Sequence, residues 1–282
     1  MFGSMKFMLE RAAEGHYAVP HFNVWNEEML LGVMKACEET QSPVILSFGS
    51  GCGRNVEISR FAPMLLKAAV DSTVPTVIHW DHGRSFEIIK HAYDCGFNAL
   101  MIDGSSKPFE ENIAFTKEAT DFFHPLGIPI EAELGHVASE MKYEEALKVY
   151  EYTNPDQAKR FVEETHCDFL AVAIGNIHGH YSSEPQIAFD ILEKVRDAVK
   201  IPLVLHGGSG IGDDDIRKAI SLGVTKINVH TELRDAAKYA FFACDQGLDY
   251  QDCCLAQQDG VYKKALQKIE LFGSANKAGV KE

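Results

Sequence analysis

Eight short runs rich in Val, Ile, Leu and Ala recur along the chain, and their number constrains the fold more than any other feature. They are YAVPHFNV (17–24), PVILSFG (43–49), PTVIHWDHG (75–83), ALMIDGS (99–105), PIEAELGH (129–136), FLAVAIGN (169–176), PLVLHGGSG (202–210) and KINVHTEL (226–233). Segments of helical period lie between them, such as NEEMLLGVMKACEE and EPQIAFDILEKVRDAV. Asn26 and Ser85 stand where helices would be capped, Gly96 and Gly127 where they would stop. Near-continuous apolar strands are what a parallel sheet covered on both faces requires. Eight of them, each followed by a helix, predict an α/β fold closed as a (β/α)8 TIM barrel rather than an open sheet. No linker, low-complexity tract or charge block cuts the chain, so 1–282 reads as a single domain. VYKKALQKIELF near the end is a C-terminal helical extension that would pack on the barrel or on a neighbouring subunit. The one long insertion, 137–157 after the fifth run, is of a length that is usually functional.

A formal charge of −14 argues against nucleic acid as a partner, because phosphate-backbone affinity comes from Lys and Arg. The seven cysteines are scattered and contain no Cys-x-x-Cys pair, which indicates neither a disulfide framework nor a Cys-based zinc site. The N-terminus does not have a signal-peptide pattern, and no apolar stretch reaches the ~18–20 residues that span a bilayer. The expectation is a reduced, cytoplasmic protein without a membrane partner.

Polar residues gather at the carboxyl ends of the apolar runs: Asp81 and His82 in the third, Asp103 in the fourth, Glu133 in the fifth, His178 after the sixth, His206 in the seventh, Asn228 and His230 in the eighth. That rim is where barrel enzymes build active sites. Any one of His82, His178 and His206 alone reads as a hydrogen-bonded polar residue, but three on neighbouring rim positions, each beside a glycine, suit a shared metal. All-imidazole ligation favours zinc, copper, iron or nickel over magnesium. Asp81 would point away from a ligand at His82 unless the strand end bends, so it reads as a proton carrier, or else as an acceptor orienting a histidine. HGGSGIG (206–212), before a helix near Asp213, and Thr231, before another, read as a phosphate cradle in which Gly207, Gly208 and Ser209 expose N–H groups; a plain glycine turn is the alternative. Trp80 and Phe22 read as barrel packing. His136 and His180 read as substrate contacts or, alternatively, as exposed loop histidines, and Arg54, after the second run, is a candidate to meet a sugar-acid carboxylate.

YAVPHFNV, IHWDHG, MIDGS, EAELG, YTNP, AVAIGNIHG, PLVLHGGSG and KINVHTEL together resemble the class II, zinc-dependent ketose-phosphate aldolases, in order and spacing over nearly the whole chain. The resemblance implies His82, His178 and His206 as ligands of Zn2+, Asp81 as proton donor and Glu133 as an alternative metal contact. It implies that Gly179, Gly207, Gly208, Ser209, Asn228, Val229, His230 and Thr231, with Asn23, hold dihydroxyacetone phosphate. A monovalent cation, Na+ or K+, and a homodimer or homotetramer also follow from it. Glu140, in the long insertion, is the candidate for the second proton transfer, although ASEMK replaces the family's Gly-rich loop there and a solvated loop acid is the alternative. Two features depart from the bisphosphate enzymes. No arginine follows Arg234 to hold a far phosphate, leaving Lys263 and Lys264, and position 230 is His where Asp or Ala is usual. The implied reaction is reversible cleavage of a ketose 1-phosphate to dihydroxyacetone phosphate and an aldehyde. Alternatives are a fructose- or tagatose-1,6-bisphosphate aldolase proper, a metal-dependent hydrolase, or a non-catalytic sugar-phosphate-binding barrel.

Overall fold

The computed structural model describes residues 1–52, 56–137, 143–146, 150–244 and 247–279. Its strands are β1 (Val19–Asn23), β2 (Val44–Gly49), β3 (Thr76–Gly83), β4 (Ala99–Ile102), β5 (Ile130–Leu134), β6 (Phe169–Val172), β7 (Leu203–Leu205) and β8 (Val224–Val229). All neighbours pair in parallel, and β1 pairs with both β2 (His21 with Ile45) and β8 (Val19 with Lys226), so the sheet closes into a barrel in sequence order. The expected TIM barrel is therefore the fold. Helices α1 (Met5–Gly15), α2 (Glu27–Glu39), α3 (Ile58–Asp71), α4 (Phe86–Asp94), α5 (Phe109–Phe123), α6 (Tyr143–Ala146), α7 (Pro155–Thr165), α8 (Phe189–Ala198), α9 (Asp213–Ser221), α10 (Thr231–Phe242) and α11 (Tyr250–Phe272) accompany the strands. Asn26 and Ser85 cap α2 and α4 by accepting from the Met29 and Ile88 N–H groups.

One boundary at the site and one additional element differ from the sequence reading. The eighth strand stops at Val229, so His230 lies in no strand but is the N-cap of α10, which begins at Thr231. The extra element is α1: Met5, Met8, Leu9 and Ala12 are buried at helical spacing and pack against Val19, Ile45, Val77, Ala99 and Phe169 from inside the strands. This helix plugs the amino-terminal end of the barrel. At the other edge of the fold, α11 packs along α2 and α10. A Cβ on Gly32 of α2 would lie 2.6 Å from the Gln258 carbonyl, so the two helices meet at a separation only glycine permits. The C-terminal extension thus covers the barrel's own helices.

A side-chain period of 2 divides each strand between two environments. Ile78 and Trp80 of β3 face the helices, with the Trp80 ring centroid 6.0 Å from those of both Phe48 and Phe97, and Phe22 is buried in the same shell. The alternate residues enter the barrel. Val77, His79 and Asp81 climb from the plugged floor to the open mouth, as do Val19, His21 and Asn23 of β1.

Candidate active site

β3 bends at its end. His82 has φ 53°, in the left-handed region, and the pairing with β4 slips between Trp80 and Gly83. The bend removes the alternation that would have sent Asp81 and His82 to opposite faces: Asp81 Oδ1 lies 4.0 Å from His82 Nε2. His178 arrives on the loop after β6, and His206 is the first residue beyond β7. Gly207 ties those two loops together, since a Cβ there would come within 2.0 Å of the Ile177 carbonyl oxygen and its φ is 61°. The Tyr181 hydroxyl bridges the same loops, accepting from the Ile177 N–H at 2.9 Å and donating to the Gly207 carbonyl at 3.0 Å.

One donor atom each from His82, Glu133, His178 and His206 lies within 4.8 Å of the others. His82 Nε2 and His178 Nε2 are buried without a hydrogen-bond partner, and His206 Nδ1 and Glu133 Oε2 face each other across the same cup at 2.9 Å. Leaving the two imidazole nitrogens unsatisfied costs roughly 1–3 kcal/mol apiece, and with a third imidazole and a carboxylate in the same cup they mark a place for a cation. The far sides of two rings support this. His82 Nδ1 meets Asp103 Oδ2 at 2.8 Å and His206 Nε2 meets Glu131 Oε1 at 2.9 Å. A carboxylate there takes the ring's N–H and leaves the bare nitrogen facing the cup. Without an ion, burial would lower His82, but Asp81, then Asp103 and Glu133, outweigh it and raise the imidazole to about 10. His178 is pushed well down by burial and by its two histidine neighbours, which keeps its lone pair free. These acids therefore draw positive charge to the cup, and the residues present fit a divalent metal of the kind imidazole and carboxylate bind.

The chain matches the family model described as fructose-bisphosphate aldolase class-II over residues 3–277. It belongs to that family. It is 55% identical to the YdjI protein of Escherichia coli K12 over 278 residues, covering 99% of this chain and 100% of that one. It is 40% identical to the fructose-bisphosphate aldolase of Geobacillus stearothermophilus over 282 residues, covering 98% of each. The X-ray crystal structure of the YdjI aldolase superposes with a TM-score of 0.90 at 51% identity, over 99% of this chain and 100% of that one. A crystal structure of a putative fructose-1,6-bisphosphate aldolase from Coccidioides immitis gives a TM-score of 0.90 at 26% identity, covering 97% of each. The protein is thus a class II aldolase, a carbon–carbon lyase.

In this aldolase Asp81 is held at both oxygens. Asn23 donates to Oδ2 at 2.9 Å and Asn228 to Oδ1 at 3.3 Å. Burial would raise the Asp81 carboxyl, but His82, then His21 and His206, hold it well below the ordinary carboxylate range. Asn23 and Asn228, expected to hold substrate, thus touch the acid. The region read as a cradle is partly spoken for as well. The Gly208 N–H is not exposed as expected: it donates to the Asn228 carbonyl at 3.2 Å, because β7 and β8 still run side by side there. The start of α9 carries Asp213, Asp214 and Asp215, so that helix end already faces negative charge. What stays open is a groove of about 410 Å³ whose lining includes Gly179, Ser209, Gly210, Gly212 and Thr231, at the start of α10. Ser209 Oγ accepts from the Glu232 N–H at 3.2 Å, joining the β7 loop to α10. Val229 is wholly buried, and the His230 ring sits edge-on to Trp25 with centroids 5.3 Å apart.

Other rim candidates are placed as follows. His180 is exposed, 3.3 Å from Asp235, and His136 lies 3.4 Å from the Ser105 hydroxyl. Lys263 pairs with Asp259 at 2.6 Å and Lys264 approaches Glu232 at 3.8 Å. Glu140 and Arg54 lie outside the described residues.

The expectation that polar residues gather only at the rim is corrected by a second, deeper layer. His21, His79, Glu131 and Lys226 are fully buried on the barrel axis. His21 Nε2 meets His79 Nδ1 at 3.1 Å, and Lys226 Nζ meets both Glu131 oxygens, at 3.0 and 2.9 Å. His21, His79 and Asp81 also come close enough for a metal. The Lys226 ammonium supplies that layer with its own cation, and it depresses both imidazoles after burial has done so. A signal was present in the sequence: each of these four stands two positions before a rim residue, in HFN, HWD, EAE and KIN.

Proposed function

We propose that this class II aldolase uses Zn2+ to cleave a ketose 1-phosphate reversibly into dihydroxyacetone phosphate and an aldehyde. The observation that carries the reading is the buried cup of three imidazoles and a carboxylate, two of its nitrogens without a partner, beside a doubly held Asp81. His82, His178 and His206 would hold the ion, with Glu133 as a further contact. A divalent ion bound there supplies Lewis-acid polarisation of the substrate's carbonyl oxygen. Asp81, 4.0 Å from His82 Nε2, takes the C4 hydroxyl proton in cleavage and returns it to the aldehyde oxygen in synthesis. The phosphate would lie in the groove lined by Gly179, Ser209 and Thr231, where the start of α10 favours an anion. A single phosphate is favoured because no arginine follows Arg234, and the two candidate lysines already face Asp259 and Glu232. Glu140 would serve the second proton transfer, and Na+ or K+ would accompany the phosphate.

The protein would work in the cytoplasm as a homodimer or homotetramer. All seven cysteines are free, no helix among the described residues is long and apolar enough to cross a membrane, and Tyr239, Phe242, Tyr250 and Leu255 are exposed on α10 and α11. The test incubates the protein with a panel of ketose 1-phosphates and with fructose and tagatose 1,6-bisphosphates, with and without chelator, and measures dihydroxyacetone phosphate. Chelator-sensitive release from a 1-phosphate is expected. Preference for either bisphosphate would overturn this reading, and preference for fructose 1,6-bisphosphate would replace it with the activity named for the Geobacillus relative.

A further inference from the structure

We propose that Lys226 is a positioning residue that ties the metal cup to the proton-carrying acid, setting His206 through Glu131 and Asp81 through Asn228. The proposal rests on the reading above, in which His206 is a ligand and Asp81 carries the proton. Lys226 is wholly buried beneath the mouth and cannot touch a substrate. Its ammonium has three N–H donors and no acceptor. It donates to Glu131 Oε1 at 3.0 Å and to Asn228 Oδ1 at 2.8 Å, and its charge lies 2.9 Å from Glu131 Oε2. Fully buried and paired with a carboxylate, it is not a free amine available to a carbonyl.

Each contact has a consequence one residue further on. Because an ammonium can only donate, Asn228 must turn its oxygen toward Lys226 and therefore its Nδ2 toward Asp81 Oδ1, 3.3 Å away. Without the lysine the amide could flip and set its oxygen against the carboxylate. In the other direction, Glu131 Oε1 lies 2.9 Å from His206 Nε2, which turns His206 Nδ1 into the cup, where it faces Glu133 Oε2 at 2.9 Å. Neutralising Lys226 leaves Glu131 as a buried, uncompensated charge free to recruit another partner. His79 stands behind it, with Nε2 3.7 Å from Glu131 Oε2, and His21 braces His79. One ammonium thus fixes the orientation of two groups that must act together although they stand on β7 and β3.

The experiment compares zinc-loaded wild type with Lys226→Met, with Lys226→Met/Glu131→Gln and with Asp81→Asn alone and combined with Lys226→Met. It reads zinc retention against a chelator as well as kcat and KM. Lys226→Met is expected to weaken zinc retention about tenfold or more and to lower kcat about a hundredfold, with KM changed by less than about threefold. The charge-balanced double variant restores zinc retention, because a neutral amide at position 131 can still accept from His206, but leaves kcat low because Asn228 is still unheld. On the Asp81→Asn background, Lys226→Met should cost little more in kcat, as two residues on one route are not additive. Full recovery of kcat in the charge-balanced variant would reduce Lys226 to a counter-ion and overturn the proposal, as would a full additive loss on the Asp81→Asn background. Zinc retention needs no substrate, so if wild type cleaves no ketose phosphate the functional reading fails while the Glu131–His206 arm is still decided.

Discussion

The two ends of the barrel are built from the same strands with the same alternation, yet they have opposite chemistry. At the floor, Val19, Ile45, Val77, Ala99 and Phe169 point inward and α1 seals them with Met5, Met8 and Leu9. At the mouth, Asn23, Asp81, Glu133 and Asn228 point inward, four or fewer residues further along, and no helix closes over them in the described structure. Between the two lies the ionic layer of His21, His79, Glu131 and Lys226. The floor gains from removing apolar area from water, whereas the mouth keeps donor atoms unsatisfied. Stability and function are therefore separated along one axis, as barrel enzymes generally arrange them.

The largest effects should come from the mouth. His206→Ala is expected to lose bound metal and activity together, by more than about a thousandfold in kcat/KM, whereas Asp81→Ala keeps its metal and loses turnover by about 10²–10⁴. Metal analysis beside steady-state kinetics distinguishes them, and equal activity of the Asp81 variant would remove that residue from the proton path. The floor should behave in the opposite way. Leu9→Ala, at a fully buried site on the plug, should cost about 2–5 kcal/mol in a denaturant titration while the folded fraction keeps wild-type zinc content and kcat. Loss of metal in that variant would show that the two ends are coupled.

A smaller effect tests the layer between them. Burial, then the Lys226 ammonium, pushes the His79 imidazole from 6.5 down to about 3. The unfolded chain takes up a proton below the ordinary value that the folded chain refuses until the lower one. The unfolded state then binds more protons, so stability falls as pH falls, by about 1.4 kcal/mol per unit for this one group. Metal-free wild type and His79→Gln, unfolded in urea at about pH 7 and about pH 5, should show the wild-type advantage shrinking at the lower pH. A gap independent of pH would mean that His79 takes up its proton in the folded chain at the same pH as in the unfolded one. The smallest effect should come from outside the barrel: Lys263→Ala, at an exposed pair with Asp259, should change KM by less than about twofold. A large rise in KM for a bisphosphate would bring that lysine back as a phosphate contact.

Much of this arrangement can be read without coordinates because it is local. Apolar runs of strand length, helix caps at Asn26 and Ser85, and the polar residues that end each run depend on neighbours within a few positions. His82, His178 and His206 were legible as a set because a strand's end is recognisable and barrel strands end at one rim. His21, His79, Glu131 and Lys226 escaped because a polar residue inside an apolar run looks like an interruption until its partner is known. Glu131 and Lys226 are separated by 95 positions and are 3.0 Å apart. Helix α1 was hidden for a related reason, since its short apolar stripe acquires a role only when there is a floor to plug.

By itself, then, the sequence determined that eight parallel strands would close and which side chains would crowd the open end, because backbone period and chain direction are encoded locally. Only the tertiary structure decided that Asp81 and His82 share a face, through a left-handed residue at the end of β3, and that Asn23 and Asn228 hold an acid. It alone showed that the cup rests on an ion pair, since pairing across the barrel axis depends on closure and register rather than on any single stretch of chain.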